Sequence, residues 1–170
     1  MPSRLDTYKG IMSWVNSNFV PLGMKAIEDL PKAVPGCGDS CVIAKAIEDG
    51  FGDRIESVHV GLSSINIELK GDEDKIEIDN TNEVGSFILA YDDLKFPDLI
   101  DVDKTFERVH DFDFKNRISD VLEDYDNGNG VTALYEDIPQ QYSSEVSYHQ
   151  AEMKAIKESN ESNKEQPSND

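Results

Sequence analysis

Apolar residues recur at helical spacing from Tyr8 through Ile11, Met12 and Val15 to Phe19, and Pro21 closes the run, so the pattern predicts a first helix from a cap at Asp6. GMKAIEDL, ended by Pro31, predicts a further helical turn or two, and KAVPGCGD reads as a turn-rich connection. Asp39 or Ser40 caps a second helix running to about Asp49, with Ile43, Ala46 and Ile47 on its apolar face. Cys41 falls in its first turn, and Gly50 is placed to end it in the left-handed conformation.

After Gly52 the period changes to two. Val58, Val60 and Leu62 alternate with His59 and Gly61, then Ile65, Ile67 and Leu69 alternate with Asn66 and Glu68, which predicts a hairpin turning near Ser63 and Ser64. KGDED is a polar turn, and Ile76 and Ile78 mark a third short strand. TNEVGSFILAYDDL predicts a helix capped by Thr81 or Asn82, with Val84, Phe87, Ile88 and Tyr91 on one face. Gly85 counts against it, because an interior glycine costs about 1 kcal/mol relative to alanine. Phe106, Arg108, His110, Phe112 and Phe114 at period two predict a fourth strand with inward aromatic residues. ISDVLEDYD reads as one more short helix, and VTALYEDI, after the break at NGNG, as an edge strand or a loop. The fold class expected is α+β: a short, mainly antiparallel sheet with helices packed on one side, in a domain over 5–140. Residues 141–170 are polar and read as a disordered tail, with room for a short helix over 144–157 where Val146, Met153 and Ile156 share a stripe.

A chain of 170 residues with 38% hydrophobic residues has enough for one moderate core. It contains no 18-residue apolar run, and MPSRLDTYKG lacks the apolar stretch of a signal peptide, so a soluble, cytoplasmic protein is expected. Cys37 and Cys41 are too few for a disulfide framework or a four-cysteine zinc site and read as thiols.

The net charge of −19 is unevenly distributed. Residues 1–50 hold six acids and five bases, residues 51–140 hold 23 acids and eight bases, and residues 141–170 hold six acids and three bases. The middle segment, at −15, therefore carries the field. Such a surface repels nucleic acid and anionic membrane, because phosphate binding depends on Lys and Arg displacing counterions. It favours a protein partner with a basic surface.

The succession CVIAKAIEDGF, VHV, INIEL and SFILAYDD, followed by Phe96, Pro97 and an acidic FDF, resembles a group of small tailed-phage proteins found especially in phages of actinobacteria. In that group a Cys-Pro-(Ile/Val)-Ala-x-Ala-Leu helix precedes short strands, and a Phe-Ile-x-x-Phe-Asp segment leads to a proline and a Phe-x-Phe strand. The similarity covers about residues 6–115, with Val42 in place of the proline and Ala90-Tyr91-Asp92 in place of the phenylalanine version. It implies a phage origin and a small α+β fold, acting in the cytoplasm of an infected host cell or in the virion, and it transfers no catalytic residue.

Cys41 at a helix N-terminus is the best nucleophile candidate, since the helix dipole lowers a thiol pKa there, but its apolar neighbours Val42 and Ile43 point to a packing role. His59, His110 and His149 show no pattern that nominates a catalytic base. PGCGDSC lacks the Gly-Lys-Ser/Thr ending of a phosphate loop. DYDNGNGVTALYE fails as a calcium loop in either register: with Gly130 at the sixth position the first is Tyr125, and starting at Asp124 the twelfth is Tyr135. No catalytic residue, metal site or cofactor is therefore assigned. The acidic groups Asp72, Glu73, Asp74, Asp92 and Asp93 are the candidate partner-binding residues. The reading is a non-enzymatic acidic phage accessory protein that binds a basic or nucleic-acid-binding host protein, with two alternatives: a virion or assembly component, and a small hydrolase using Cys41 or a carboxylate-bound metal.

Overall fold

In the computed structural model, which describes residues 4–36, 38–126 and 138–165, the period-two segments form one antiparallel sheet. Its strands, β1 (Ile55–Val60), β2 (Ser64–Leu69) and β3 (Ile76–Asp79), lie in that order. Pairing sets Val60, Ile65 and Ile78 in one row and Val58, Ile67 and Ile76 in the next. Equal parity puts both rows on one face, where Val58, Val60, Ile65 and Ile67 are buried, while His59, Glu77 and Asp79 on the other face are exposed. With the helices the fold is α+β, as expected.

Helix α1 (Arg4–Phe19) buries Tyr8, Ile11, Val15 and Phe19 of the expected stripe, leaves its Met12 half-buried, and ends in a 3₁₀ turn over Val20–Leu22 that contains Pro21. The helical turn expected in GMKAIEDL does not form. Its backbone groups are bound by the neighbouring helices: Met24 N–H donates to Phe19 C=O, Lys25 N–H to Gly50 C=O, and the Asn16 amide clamps both N–H and C=O of Ile27.

Helix α2 (Val42–Phe51) carries Ile43, Ala46 and Ile47 inward, but both of its ends differ from the expectation. Cys41 is the N-cap rather than a first-turn residue, and the chain reverses at Gly52, with φ 62°, instead of at Gly50. Gly50 is helical, and Met24 packs directly against it where a side chain would have no room.

Helix α3 (Asn82–Asp92) is capped by Thr81, whose Oγ1 accepts from Val84 N–H at 3.2 Å. Val84, Phe87, Ile88 and Tyr91 are buried as expected, and Ser86 and Ala90 are buried as well, so α3 is enclosed on most sides. Phe87 and Phe96 lie 4.9 Å apart, Tyr8 and Phe96 5.7 Å, and the Tyr91 hydroxyl donates to Leu99 C=O at 2.9 Å.

The fourth strand expected over Phe106–Phe114 is absent and two helices stand in its place, α4 (Val102–Arg108) and α5 (Phe112–Asp126). Two aspartates decide this. Asp101 Oδ1 accepts from Lys104 N–H, and Asp111 Oδ1 accepts from the N–H groups of Asp113 and Phe114, so one helix starts ahead of the period-two stretch and runs into it and the other starts within it. Phe112 is accordingly 77% exposed rather than inward, and the buried anchor of α5 is Ile118. The short helix read in ISDVLEDYD is the second part of α5. Cys37, the whole of NGNG and nearly all of VTALYEDI lie outside the described residues.

The short helix placed over 144–157 belongs to a longer one, α6 (Ile138–Glu165), which begins before the boundary drawn at 140. Its first half docks on α3: Val146 is fully buried against Gly85, where an added Cβ would collide with Val146 Cγ1. Asn82 Nδ2 donates to Ser147 Oγ at 2.8 Å, and Gln150 Nε2 donates to Asn80 C=O at 2.9 Å. From Ala151 to Asn160 the helix is exposed except at Met153. Among the described residues no helix is long and apolar enough to cross a membrane.

Candidate functional site

The five candidate carboxylates fall into two environments. Asp72, Glu73 and Asp74 occupy the β2–β3 turn, which is closed by Asp72 N–H donating to Leu69 C=O at 3.1 Å, with Gly71 at φ 86°, the third position of a turn that needs positive φ. Lys70 N–H donates to Arg54 C=O at 2.8 Å, so the base of the turn is tied across to the start of β1. All three acids are exposed, and none has an ion pair among the described residues. The neighbouring Lys75 turns instead to Glu68, at 3.4 Å.

Asp92 and Asp93, at the end of α3, are held internally. Asp92 Oδ1 accepts from Gly36 N–H at 2.8 Å, which fastens the loop before α2 to α3. Burial raises the Asp92 carboxyl above its ordinary value, and the Gly36 bond offsets this only in part. Asp93 accepts from Arg117 of α5 at 2.8 Å and from the Tyr142 hydroxyl of α6 at 2.6 Å, with Lys95 Nζ at 4.0 Å. Partial burial pushes Asp93 upward, but the hydrogen bonds from Tyr142 and Arg117 outweigh it, and the carboxyl lies below its ordinary range. Asp93 is thus a tie between three helices. Its donors, 24 and 49 residues away in the chain, have no local signature in the sequence. Asp72–Asp74 and the Asp92–Asp93 pair share no hydrogen bond or ion pair.

Farther along the sheet, Lys157 of α6 pairs with Glu77 and, at 3.5 Å, with Asp79. These β3 acids are therefore partly neutralised, which leaves the turn as the denser unpaired group.

Cys41 is 3% exposed. Burial pushes its thiol up to about 11, and the Asp92 charge adds to this against the lowering effect of the Ala44 and Ile43 N–H groups, so the thiol is protonated at neutral pH. His59 and His110 are exposed and His149 is half-buried. Among the described residues no three His, Cys, Asp or Glu side chains are grouped so as to hold a metal. Comparison of the chain with protein-family models, with curated proteins and with solved structures finds no match.

Proposed function

We propose that the chain is a non-enzymatic, acidic accessory protein that binds a basic protein surface through the β2–β3 turn. The observation that supports this is the placement of Asp72, Glu73 and Asp74: consecutive, exposed, and without an internal cation on a turn anchored at both ends by the sheet. A preformed turn loses little conformational freedom on binding. Unpaired carboxylates keep their full attraction for a partner's Lys and Arg, and the surrounding segment, at −15 over residues 51–140, steers a basic partner toward them. Asp92 and Asp93, already engaged within the molecule, contribute to the field and hold the fold.

The resemblance to small actinobacteriophage proteins supports an infected host cell as the setting, with a host protein as the partner. Where the partner's basic surface is its nucleic-acid site, the chain competes as a mimic of the phosphate backbone. The test is affinity capture from an actinobacterial lysate with the full chain and with the Asp72→Lys, Glu73→Lys, Asp74→Lys variant as baits. A basic protein retained by the first, released by salt and lost with the second supports the reading; identical captures by both overturn it.

A further inference from the structure

Four of the chain's 16 basic residues meet around a single cavity outside the acidic turn. Lys32, Lys45 of α2, and Lys104 and Arg108 of α4 line a space of about 330 Å³, and β1 forms one wall through Glu56, Ser57 and Val58. Lys104 and Arg108 are four residues apart on one helix and so share a face. The volume falls at the small end of the range for ligand sites.

Three of the four bases here are uncommitted. Lys45 pairs with Asp49 at 3.1 Å, but Lys32, Lys104 and Arg108 make no ion pair among the described residues, in a chain with 35 acids. The cavity's own acids, Asp39, Glu48 and Glu56, do not come within ion-pair distance of them. Four bases and three acids line the cavity, and Asp49, paired with Lys45, brings the local balance to zero in a molecule of −19.

One uncharged feature also points to a ligand, the edge of β1 beyond its contact with Gly38. Gly61 N–H bonds Ser64 C=O across the hairpin, whereas Val60 N–H points the opposite way, to Gly38 C=O. Strand alternation then turns the N–H and C=O of Val58 away from β2 as well. Val58 is only 4% exposed and lines the cavity, yet its outward N–H and C=O have no hydrogen bond among the described residues. Buried backbone groups are rarely left unpaired, because the lost solvation is costly. A donor and an acceptor on one residue, side by side at a strand edge, match the backbone of an extended peptide.

We propose that this cavity receives the C-terminal end of an extended peptide, which adds to β1 by pairing with the N–H and C=O of Val58 while Lys32, Lys104 and Arg108 hold its terminal carboxylate. A polyanion such as nucleic acid is disfavoured by the field of the whole chain, whereas a single carboxylate suits three bases that have no ion pair of their own among the described residues. The site uses none of the acidic turn and stands independently of the proposed function.

The test is an amide NMR titration of the isotope-labelled full chain. The probes are a pool of N-acetylated tetrapeptides with free C-terminal carboxylates, the same pool as C-terminal amides, and inorganic phosphate. The carboxylate pool is expected to shift the Val58 amide saturably and slow its hydrogen exchange. Amidation is expected to weaken binding about tenfold or more, as is the double substitution Lys104→Gln, Arg108→Gln at two exposed positions. Resonances remote from the cavity report that this variant is folded. No saturable shift at Val58, equal binding of the amidated pool, or phosphate that reproduces the shifts and displaces the peptides at equal concentration would each overturn the proposal, the last by showing a plain anion site.

Discussion

Asp92 and Asp93 are adjacent in the chain and carry opposite linkage to pH. Asp93 has a folded pKa below its unfolded value, so it stabilises the protein above the ordinary carboxylate pKa and loses that contribution as pH falls through the folded value. Asp92 has a folded pKa above its unfolded value, so its favourable contribution exists at low pH and is lost as pH rises through the folded value. Asp92→Asn keeps an oxygen to accept from Gly36 while removing the buried charge. Urea unfolding should therefore show this variant equal to or more stable than the parent at about pH 7, with the difference shrinking at about pH 3. Asp93→Asn should be less stable at neutral pH and converge on the parent as acid protonates Asp93. The same sign of effect from both variants would contradict the assignments. At Cys41 the account is structural: a thiol reagent should label it slowly in the native state, and Cys41→Ser should cost about 1–3 kcal/mol by placing a hydroxyl in an apolar site. Fast native labelling with an unchanged melting temperature would contradict it.

Helix α6 meets α3 where Gly85 makes room for Val146, and this contact makes an unusual demand on the helix. Gly85→Ala would raise intrinsic helix propensity by about 1 kcal/mol, yet it should lower the melting temperature, because the new Cβ has no space. Val146→Ala should cost about 1–3 kcal/mol, and the double variant should lose less than the two single losses combined. Deleting residues 138–170 should likewise lower the thermal transition; an unchanged transition would show that α6 adds nothing to the fold. How much of this was legible depended on whether the cause was local. The rows Val60–Ile65–Ile78 and Val58–Ile67–Ile76 follow from alternation alone, and the apolar spacing of Tyr8–Phe19 and Val84–Tyr91 marks α1 and the buried face of α3. Between Phe106 and Phe114 the aromatic alternation misled, because side-chain caps at Asp101 and Asp111 outweigh β propensity. The docking of α6 was hidden, since its few apolar residues gain meaning only beside a glycine some 61 positions earlier in the chain.

On the scale of the whole molecule, the acidic turn could be read directly from KGDED, whereas the gathering of Lys32, Lys45, Lys104 and Arg108 could not, because only the fold brings those residues to one cavity. A net charge of −19 with few ion pairs among the described residues implies mutual repulsion of surface carboxylates. The isolated protein should become more stable as monovalent salt rises toward physiological strength, where the Debye length falls to about 8 Å. Calorimetry at two salt concentrations checks this; a transition that falls or stays fixed would show that repulsion is already compensated within the fold. Binding should respond in the opposite direction, because salt screens attraction between partners. The central claim is tested most directly by measuring the affinity of a captured basic protein for the full chain and for the Asp72→Lys, Glu73→Lys, Asp74→Lys variant at low and physiological salt. The account expects tight binding that weakens with salt, and at least a tenfold loss in a variant that melts normally. Equal affinity for both proteins, insensitive to salt, would contradict it.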